Sequence, residues 1–242
     1  MSLASLPRIG GATPAERLAS LRAAVPGRIL FTTSFGLEDQ AIAHLIFTGK
    51  LDIEVATLDT GRLFPETYDL WAETEERYGV RIRSFHPDAA ALSAFVGDAG
   101  INGFLHSKEA RLDCCFVRKV EPLNRALAGV AAWVTGLRAG QSDEREGIAL
   151  AGWDEERQLV KVNPLFDWTR DQVAAFCAAE RVPINQLHAQ GFLSIGCQPC
   201  TRAVRPGESE RAGRWWWESE GQSECGLHLG ADGRLVRTKV AA

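Results

Sequence analysis

The segment "RILFTTSFGLEDQAIAHLIFTG", residues 28–49, decides the fold, because it joins an apolar stretch to a helical stretch through a short polar loop. Residues 28–35 are apolar enough to predict a strand that is buried on both faces, as in a parallel sheet. The stretch that follows, 38–49, predicts a helix. A buried strand that passes directly into a helix is typical of an α/β protein.

The same alternation of strand and helix continues along the chain. Further strands are predicted at 53–59, 80–85, 131–137 and 159–165. Helices are predicted in the first 27 residues, where Thr13 and Glu16 have the spacing of a capping box, and at 65–79, 89–99, 107–128 and 169–182. The predicted fold class is α/β, with a doubly wound, mostly parallel sheet. We divide the chain into an N-terminal helix at 1–27, an α/β domain at 28–200 and a C-terminal tail at 201–242.

Composition and charge limit the classes of function. The chain has 242 residues, 45% of them hydrophobic, and a formal net charge of −4, which argues against a general nucleic-acid-binding protein. The N-terminal residues lack the basic and apolar regions of a signal peptide, and no stretch is as long and apolar as a membrane span. We therefore expect a cytoplasmic protein with no nucleic-acid or membrane partner. In that reducing compartment, the six cysteines predict metal ligands or catalytic thiols rather than disulfides.

Three loops are predicted to form a ligand site, because ligands of doubly wound sheets bind beyond the carboxyl ends of the strands. These loops are 34–39, 59–62 and 136–146. In the first loop, the backbone N–H groups of residues 33–36 and the Ser34 hydroxyl lie at a predicted helix N-terminus and would cradle an anion. An ordinary turn with a capping serine fits the spacing equally well. The segment "LDTGR", residues 58–62, adds a second glycine-containing turn at the same edge, and two such turns favour a nucleotide site.

Two pairs of cysteines predict a metal centre. Cys114 and Cys115 are adjacent, and Cys197 and Cys200 have a two-residue gap that puts both sulfurs within reach of one metal or cluster. Four thiolates can hold a tetrahedral zinc ion or a [4Fe-4S] cluster. Adjacent thiolates reach a single zinc ion only with difficulty, whereas in a cluster each cysteine binds a different iron, so the spacing favours the cluster. Zinc remains the alternative.

Cys225, in "ECGLH" near the end of the tail, stands apart from these pairs. A thiol in a polar, glycine-containing tail is typical of a nucleophile that approaches a substrate and is then reached by a second protein. Cys177, on the apolar face of a predicted helix, is predicted to be a core residue. Basic residues near the predicted sites suit a ligand with two or more negative charges: Arg118, Lys119, Arg138, Arg211 and Arg214. The histidines at 44, 86, 106 and 188 have no spacing that indicates a site, and we interpret them as surface or core residues.

These motifs together resemble the assimilatory adenylyl-sulfate reductases, the cluster-containing branch of the phosphoadenylyl-sulfate reductase family. The resemblance covers about residues 25–228. The motifs that carry it, in this order, are "SFGLED", "LDTGRLFPETY", "CCFVRKVEPL", "WVTGLR", "KVNPL", "GCQPCTR", "RAGRWWW" and "ECGLH". The family is related to the ATP pyrophosphatases, so the resemblance implies a sheet of the adenine-nucleotide alpha-hydrolase type.

The resemblance also implies a reaction and its residues. Cys225 would attack the sulfonate sulfur of adenosine 5′-phosphosulfate (APS), displace AMP and form S-sulfocysteine, from which thioredoxin or glutaredoxin releases sulfite. Cys114, Cys115, Cys197 and Cys200 would hold a [4Fe-4S] cluster. Lys119, Arg211 and Arg214 would neutralise the phosphosulfate. The full set of predicted substrate-binding residues is Ser34, Phe35, Gly36, Asp39, Leu58, Thr60, Lys119, Gly136, Arg138, Arg211 and Arg214. A homo-oligomer is also expected.

One position departs from the family pattern, and three alternatives stay open. Arg111 stands where similar enzymes often have a histidine three residues before the cysteine pair, so a proton-transfer role there is in doubt. The first alternative is reduction of the 3′-phosphorylated nucleotide, alone or in addition. The second is an ATP pyrophosphatase that activates tRNA or another acceptor for thiolation. The third is a non-catalytic sensor that binds a nucleotide and zinc.

Overall fold

The computed structural model describes residues 7–218, except 143, 144 and 146. The helices and strands are, in chain order, α1 Pro14–Ala24, β1 Ile29–Thr33, α2 Leu37–Thr48, β2 Glu54–Leu58, α3 Pro65–Tyr78, β3 Arg83–Phe85, α4 Ala89–Ala99, α5 Lys108–Cys115, α6 Glu121–Leu127, β4 Ala132–Val134, β5 Ala151–Asp154, β6 Leu159–Val162 and α7 Arg170–Ala179. No helix in this part of the chain combines the length and apolar character needed to cross a bilayer.

The six strands form one sheet in the order β3-β2-β1-β4-β6-β5. All neighbouring pairs are parallel except β5 and β6, which are antiparallel. The predicted mostly parallel α/β sheet is confirmed. The chain runs outward from β1 to β3 on one side and then returns to β4 on the other side of β1. This reversal leaves a crevice beyond the carboxyl ends of β1 and β4, where doubly wound sheets bind ligands.

Both faces of the sheet are covered by helices, and β1 shows how the sequence achieves this. Ile29 and Phe31 pack in the larger core, which also contains residues of α1, α2 and α7, whereas Leu30 packs in a second core that contains residues of α6. Successive side chains of a strand point to opposite faces, so an apolar run such as "ILF" can serve both layers. A ligand of such a sheet binds at the carboxyl ends of the strands, which the helices on the two faces leave uncovered.

Local sequence signals account for most of the helix ends. The capping box of Thr13 and Glu16 begins α1, with Pro14 in its first turn, as predicted. Helix α3 begins at Pro65 and stops at Gly79, whose φ of 64° is left-handed and suits a residue without a side chain. A second capping box, of Thr169 and Gln172, begins α7.

Two features differ from the sequence-based expectation. The single helical stretch predicted at 107–128 is interrupted by a π-helical turn at Phe116–Val120, between α5 and α6. Pro122 provides the physical reason, because it has no N–H for the carbonyl four residues earlier and its ring crowds that carbonyl, so the turn widens. The expected strands also omitted β5, a four-residue edge strand that contains a glycine and has no clear alternation.

Candidate functional site

A cavity lies at the carboxyl edge of the sheet, beyond β1, β2 and β4, and we call it the sheet-edge cavity. It brings together all of the predicted substrate-binding residues except Phe35 and Arg138. Those that line it are Ser34, Gly36, Asp39, Leu58, Thr60, Lys119, Gly136, Arg211 and Arg214. Residues more than 170 positions apart in the sequence therefore meet at one site, where three of them are basic.

The loop after β1 is closed by its own carboxylate. Asp39 Oδ2 accepts hydrogen bonds from the Ser34 N–H, at 2.6 Å, and from the Ser34 hydroxyl, at 2.7 Å. The Phe35 N–H donates to Thr33 Oγ1 at 3.0 Å. Burial raises the pKa of the Asp39 carboxyl from 3.8 to about 6, although the bonds from Ser34 act in the opposite direction. The predicted anion cradle thus holds an internal acidic group.

Phe35 is placed differently from its neighbours in this loop. Its side chain is 1% exposed and stacks on Trp71, with ring centroids 5.6 Å apart. Its φ of 58° is left-handed, which is uncommon for a residue with a large side chain. The ring packs into the core from this backbone conformation, so any contact that Phe35 makes with a ligand has to come from its backbone.

Arg138 is also withdrawn from the cavity and holds two carboxylates. Its guanidinium is 1% exposed and donates to Glu38 at 2.7 Å and to Glu210 at 2.8 Å. Burial alone would raise the pKa of Glu38, but Arg138 outweighs it and holds the pKa below its ordinary value. Glu210 directly precedes Arg211. Arg138 therefore ties the segment that carries Arg211 and Arg214 to the end of β4.

Two glycines permit close approaches in the site. A Cβ on Gly136 would overlap the Asp39 carboxylate, and a Cβ on Gly196 would overlap the Arg214 guanidinium. Gly136 therefore needs a residue without a side chain, because Asp39 is held by Ser34, whereas at Gly196 the flexible end of Arg214 would have to move. Gly196 was not among the predicted site residues, although it immediately precedes Cys197.

All four predicted metal-ligating cysteines line a second, smaller cavity, which we call the cysteine cavity. Cys114 and Cys115 reach it from the end of α5, and Cys197 and Cys200 from a short 3₁₀ turn. Lys119 and Arg214 line both cavities, so the two are neighbours that share these cations. The remaining cations in the wall of the cysteine cavity are Arg62, Arg111 and Arg118.

The cysteine cavity fits a metal-containing group that is bound by cysteine thiolates and accepts hydrogen bonds from the surrounding side chains. None of the five cysteines in the described part of the chain is in a disulfide. The Nε atoms of Arg118 and Arg214 and the Nε1 of Trp215 are buried donors without a hydrogen-bond partner there, and all three residues line this cavity. Buried donors of this kind are costly unless something accepts from them. An anionic cluster would supply those acceptors.

The thiols of this cavity have different acidities. Burial raises the pKa of Cys200 to about 11 and also raises that of Cys114. For Cys197, burial acts in the same direction, but Lys119 and a contact with the Thr60 hydroxyl at 3.3 Å outweigh it and lower the pKa. Within the described residues, no three His, Cys, Asp or Glu side chains are grouped so as to hold one metal ion.

Arg111 connects the cysteine cavity to the end of the described chain. Its guanidinium donates to both oxygens of Glu218, at 2.5 and 3.1 Å, and lies 4.4 Å from the centroid of the Trp215 ring. Burial lowers the pKa of Arg111, but Glu218 and then Cys115 outweigh it and raise the pKa above its ordinary value. Cys225, the predicted nucleophile, and His228 lie outside the described residues. Cys225 follows Glu218, the last described residue, by seven positions.

His188 lines the sheet-edge cavity, although it was not among the predicted site residues. Its spacing to other polar residues matches no motif, and only the turn at 186–190 brings it to the site. Arg145 and Thr135, in and near the loop at 136–146, line the same cavity. The prediction of ligand-binding loops at strand ends could have found these two, but not His188.

A comparison with protein families shows which family the chain belongs to. Residues 28–203 match the family described as "Phosphoadenosine phosphosulfate reductase domain". The chain belongs to this family. The match spans all six strands and the four cysteines of the cysteine cavity, which confirms the family resemblance found in the sequence motifs.

Curated relatives from this family are similar over most of their length. The "Adenosine 5′-phosphosulfate reductase" of Agrobacterium fabrum is 53% identical over 221 residues, which cover 91% of this chain and 85% of the relative. The protein of the same name from Allochromatium vinosum is 51% identical over 200 residues, which cover 83% of this chain and 78% of the relative.

Solved structures support the same fold. The phosphoadenylyl-sulfate (PAPS) reductase from Candida auris, a phosphate complex, has a TM-score of 0.67 and 28% identity, and the match covers 84% of this chain and 93% of that one. An FMN adenylyltransferase from Candida glabrata, in complex with FMN and an ATP analogue, has a TM-score of 0.51 at 14% identity, with coverage of 88% and 77%. The latter likeness concerns the fold alone. The roles of individual site residues stay predictions.

Proposed function

We propose that this chain is a thiol-dependent reductase that converts adenosine 5′-phosphosulfate to sulfite and AMP in assimilatory sulfate reduction. The observation that carries the proposal is the pair of adjoining cavities that share Lys119 and Arg214, one at the nucleotide edge of the sheet and one lined by four cysteines. The curated relatives named APS reductase, at about half identity over most of the chain, support the same substrate.

The sheet-edge cavity suits a nucleotide with a charged end. Leu58 and Gly136 line it at the ends of β2 and β4, where a flat base and a ribose fit against backbone. Lys119, Arg211 and Arg214 line it as well and would face the phosphosulfate. In this arrangement the cations stabilise the negative charge that collects on the leaving phosphate, which is the charge that grows in the transition state.

The chemical step is a displacement at sulfur. The Cys225 thiolate forms a bond to the sulfonate sulfur while the bond from that sulfur to the phosphate oxygen breaks, and AMP leaves with the electron pair. The product is S-sulfocysteine on the enzyme. A thioredoxin or glutaredoxin dithiol then attacks Cys225 Sγ, sulfite leaves, and the second thiol of the donor resolves the mixed disulfide. The donor supplies both electrons, and the free thiols required fit the cytoplasm.

A [4Fe-4S] cluster held by Cys114, Cys115, Cys197 and Cys200 is the second part of the proposal. The orphaned donors of Arg118, Arg214 and Trp215 support it, since cluster sulfurs accept such hydrogen bonds. The adjacent positions of Cys114 and Cys115 favour a cluster over zinc, because neighbouring thiolates reach a single tetrahedral ion only with difficulty. The cluster would supply a fixed negative field beside Lys119 and so hold that ammonium in position. A Lys119→Ala variant that kept its cluster and nearly full activity would exclude this role.

The two other enzymatic alternatives fit less well. An ATP pyrophosphatase needs a loop whose donors hold pyrophosphate, but here the Ser34 N–H and hydroxyl already donate to Asp39. The curated relatives named APS reductase support APS over its 3′-phosphorylated analogue. The non-catalytic sensor gives no role to the tail cysteine.

The test is sulfite release by the protein purified without oxygen, with thioredoxin and either APS or its 3′-phosphorylated analogue. We expect sulfite from APS, loss of sulfite in Cys225→Ser, and little change in Cys177→Ala, which alters a buried cysteine that lines neither cavity. Mass spectrometry of the protein with APS alone should show the sulfonate on Cys225. No sulfite from either nucleotide, together with zinc and no labile sulfide, would support the sensor instead.

A further inference from the structure

We infer that His188 binds the nucleoside part of the substrate as a hydrogen-bond acceptor, through Nε2 of its neutral ring. The inference rests on the proposed function, because it assigns a residue of the same cavity to one portion of the nucleotide. It concerns a residue that no spacing in the sequence singles out and that only the folded chain brings to the site.

The position of the ring proton follows from one hydrogen bond. His188 Nδ1 lies 2.7 Å from the carbonyl oxygen of Phe192. A carbonyl oxygen only accepts, so Nδ1 must carry the proton. Arg170 Nη2 lies 3.5 Å from the same nitrogen, but a guanidinium only donates and so cannot bond to a protonated Nδ1. In the neutral ring, Nε2 therefore has a lone pair and no proton.

The ring is held neutral by its surroundings. Burial lowers the pKa of His188, and the Arg170 guanidinium lowers it further, although the Phe192 carbonyl and Glu38 act in the opposite direction. At neutral pH the side chain is thus an acceptor at Nε2 rather than a further cation in the cavity.

Nε2 is buried and has no hydrogen-bond partner among the described residues. His188 lies in the wall of the sheet-edge cavity beside Leu193, Ser194 and Ile195. The turn that carries His188 is held in place, since the Asn185 side chain caps it and His188 Nδ1 is hydrogen-bonded to the Phe192 carbonyl. A fixed, buried acceptor without a partner at a cavity wall points to a donor supplied by the ligand.

The chemistry of the ligand restricts which donor this is. At neutral pH the phosphosulfate group has no hydrogen to donate, so it cannot satisfy Nε2. The nucleoside has three donor groups, the 6-amino group of adenine and the two ribose hydroxyls. His188 is therefore a specificity residue for the nucleoside, opposite in character to the cations that face the phosphosulfate.

The experiment measures AMP binding by calorimetry in His188→Phe, which keeps a ring and removes the acceptor. We expect affinity to fall about 3- to 10-fold, as for the loss of one neutral hydrogen bond. His188→Gln, which retains an acceptor, should recover part of the loss and also serves if the phenylalanine variant fails to fold. His44→Phe is the matched control, because His44 is also partly buried but lies on α2 and does not line the cavity.

Three nucleotides identify the donor: the 2′-deoxy and 3′-deoxy forms of AMP, and purine riboside 5′-monophosphate, which lacks the 6-amino group. Wild type and His188→Phe should have equal affinity for the analogue that lacks the group bound by His188. In APS reduction, His188→Phe should raise KM and leave kcat nearly unchanged. Unchanged AMP affinity, or an equal loss for AMP and all three analogues, would overturn the inference. If wild type neither binds AMP nor reduces APS, the proposed function itself has failed.

Discussion

At the scale of single residues, the shape of the site depends on a glycine, because a side chain at that position would overlap a neighbouring residue. Gly136 leaves room for the Asp39 carboxylate, which in turn takes the donors of Ser34. One missing Cβ thus fixes the shape of the loop after β1. The family motif "WVTGLR" contains this glycine, and the structure gives the physical reason for it.

Gly136→Ala should therefore disturb both stability and ligand binding. The added methyl group would push Asp39 away from Ser34, and such overpacking typically costs about 1–3 kcal/mol. Urea unfolding and AMP calorimetry measure the two effects. Gly97→Ala is the control, because Gly97 lies in α4 with nothing within 4 Å of the added atom, and it should stabilise the helix by about 0.5–1 kcal/mol. Equal effects of the two substitutions would contradict this account.

Asp39 also predicts how stability depends on pH. Its folded pKa, about 6, lies above its ordinary value of 3.8, so the folded state binds this proton more tightly than the unfolded state. The stabilisation from Asp39 is complete below about pH 4 and is lost as the pH rises to about 6, by about 3 kcal/mol in all. Asp39→Asn should lack this component. Unfolding free energies of both proteins between pH 4 and 7 give the difference, and parallel curves would argue against it.

The residues that could be predicted from sequence are those whose neighbours along the chain reveal their chemistry. Cys197 and Cys200 show a ligand spacing, and Ser34 and Gly36 lie in a loop between a strand and a helix. His188 gave no such signal, because its role depends on a carbonyl four residues away and on a cavity formed by other segments. Arg138 was expected along the nucleotide, yet its nearest partners are the carboxylates of Glu38 and Glu210.

At the scale of elements, buried ion pairs join segments that the sequence keeps far apart. Arg138 joins the end of β4 to the N-terminus of α2 and to the segment with Arg211. Removal of one partner leaves a buried charge without compensation, which costs far more than the loss of an exposed pair. The elements that carry the basic residues are therefore held by Arg138, which does not line the sheet-edge cavity, through Glu38 and Glu210, which do.

Arg138→Met should destabilise the protein by about 3–5 kcal/mol, because Glu38 and Glu210 lose their counter-charge. The matched control is Arg125→Met, which breaks the exposed i,i+4 pair with Glu121 and should cost less than about 1 kcal/mol. Chemical denaturation of both variants measures the contrast. Losses of similar size would show that the buried pair is not what ties these elements together.

The pair of Arg111 and Glu218 should matter for the covalent step. It anchors the chain seven residues before Cys225, so Glu218→Gln should slow S-sulfocysteine formation about tenfold through poorer positioning of the thiol. AMP binding should not change, since neither residue lines the sheet-edge cavity. Quenched-flow mass spectrometry measures the step, with Glu121→Gln as the control. A normal rate in Glu218→Gln would mean that the tail does not depend on this anchor.

Elements with strong local signals were predicted well, and those set by tertiary context were not. Helices α1 and α3 carry their own start and stop residues, and β1 is an unbroken apolar run. The π-helical turn depends on how Pro122 meets the preceding helix, and Arg118 in that turn donates to the Thr60 carbonyl at 2.7 Å. Strand β5 exists because β6 offers it an open edge, which its own four residues do not reveal.

At the scale of the whole molecule, the cysteine cavity joins two distant parts of the chain. Helix α5 supplies one pair of cysteines and the turn after residue 197 supplies the other, with Phe104 and Trp215 packed around them. A cluster bound there would act as a covalent link between these parts and would stabilise the fold in the manner of a metal site.

Cys200→Ser should lose iron and unfold at a lower temperature than the loaded wild type. Wild-type protein purified without oxygen should contain about four irons and about four labile sulfides per chain. Metal analysis and calorimetric unfolding measure both quantities, and Cys177→Ala, which removes a buried thiol that lines neither cavity, controls for the loss of a sulfur atom. Full iron content in Cys200→Ser would exclude Cys200 as a ligand.

The sharing of Lys119 and Arg214 by both cavities has a thermodynamic consequence. Two anionic occupants that draw on the same cations cannot bind independently, so each must change the free energy of binding of the other. Reciprocity requires the two effects to be equal. Whatever factor separates the AMP affinities of cluster-loaded and cluster-free protein, AMP must alter the affinity of the protein for its cluster by the same factor. A nucleotide in the sheet-edge cavity would thereby be an effector of the retention of a cluster in the cysteine cavity.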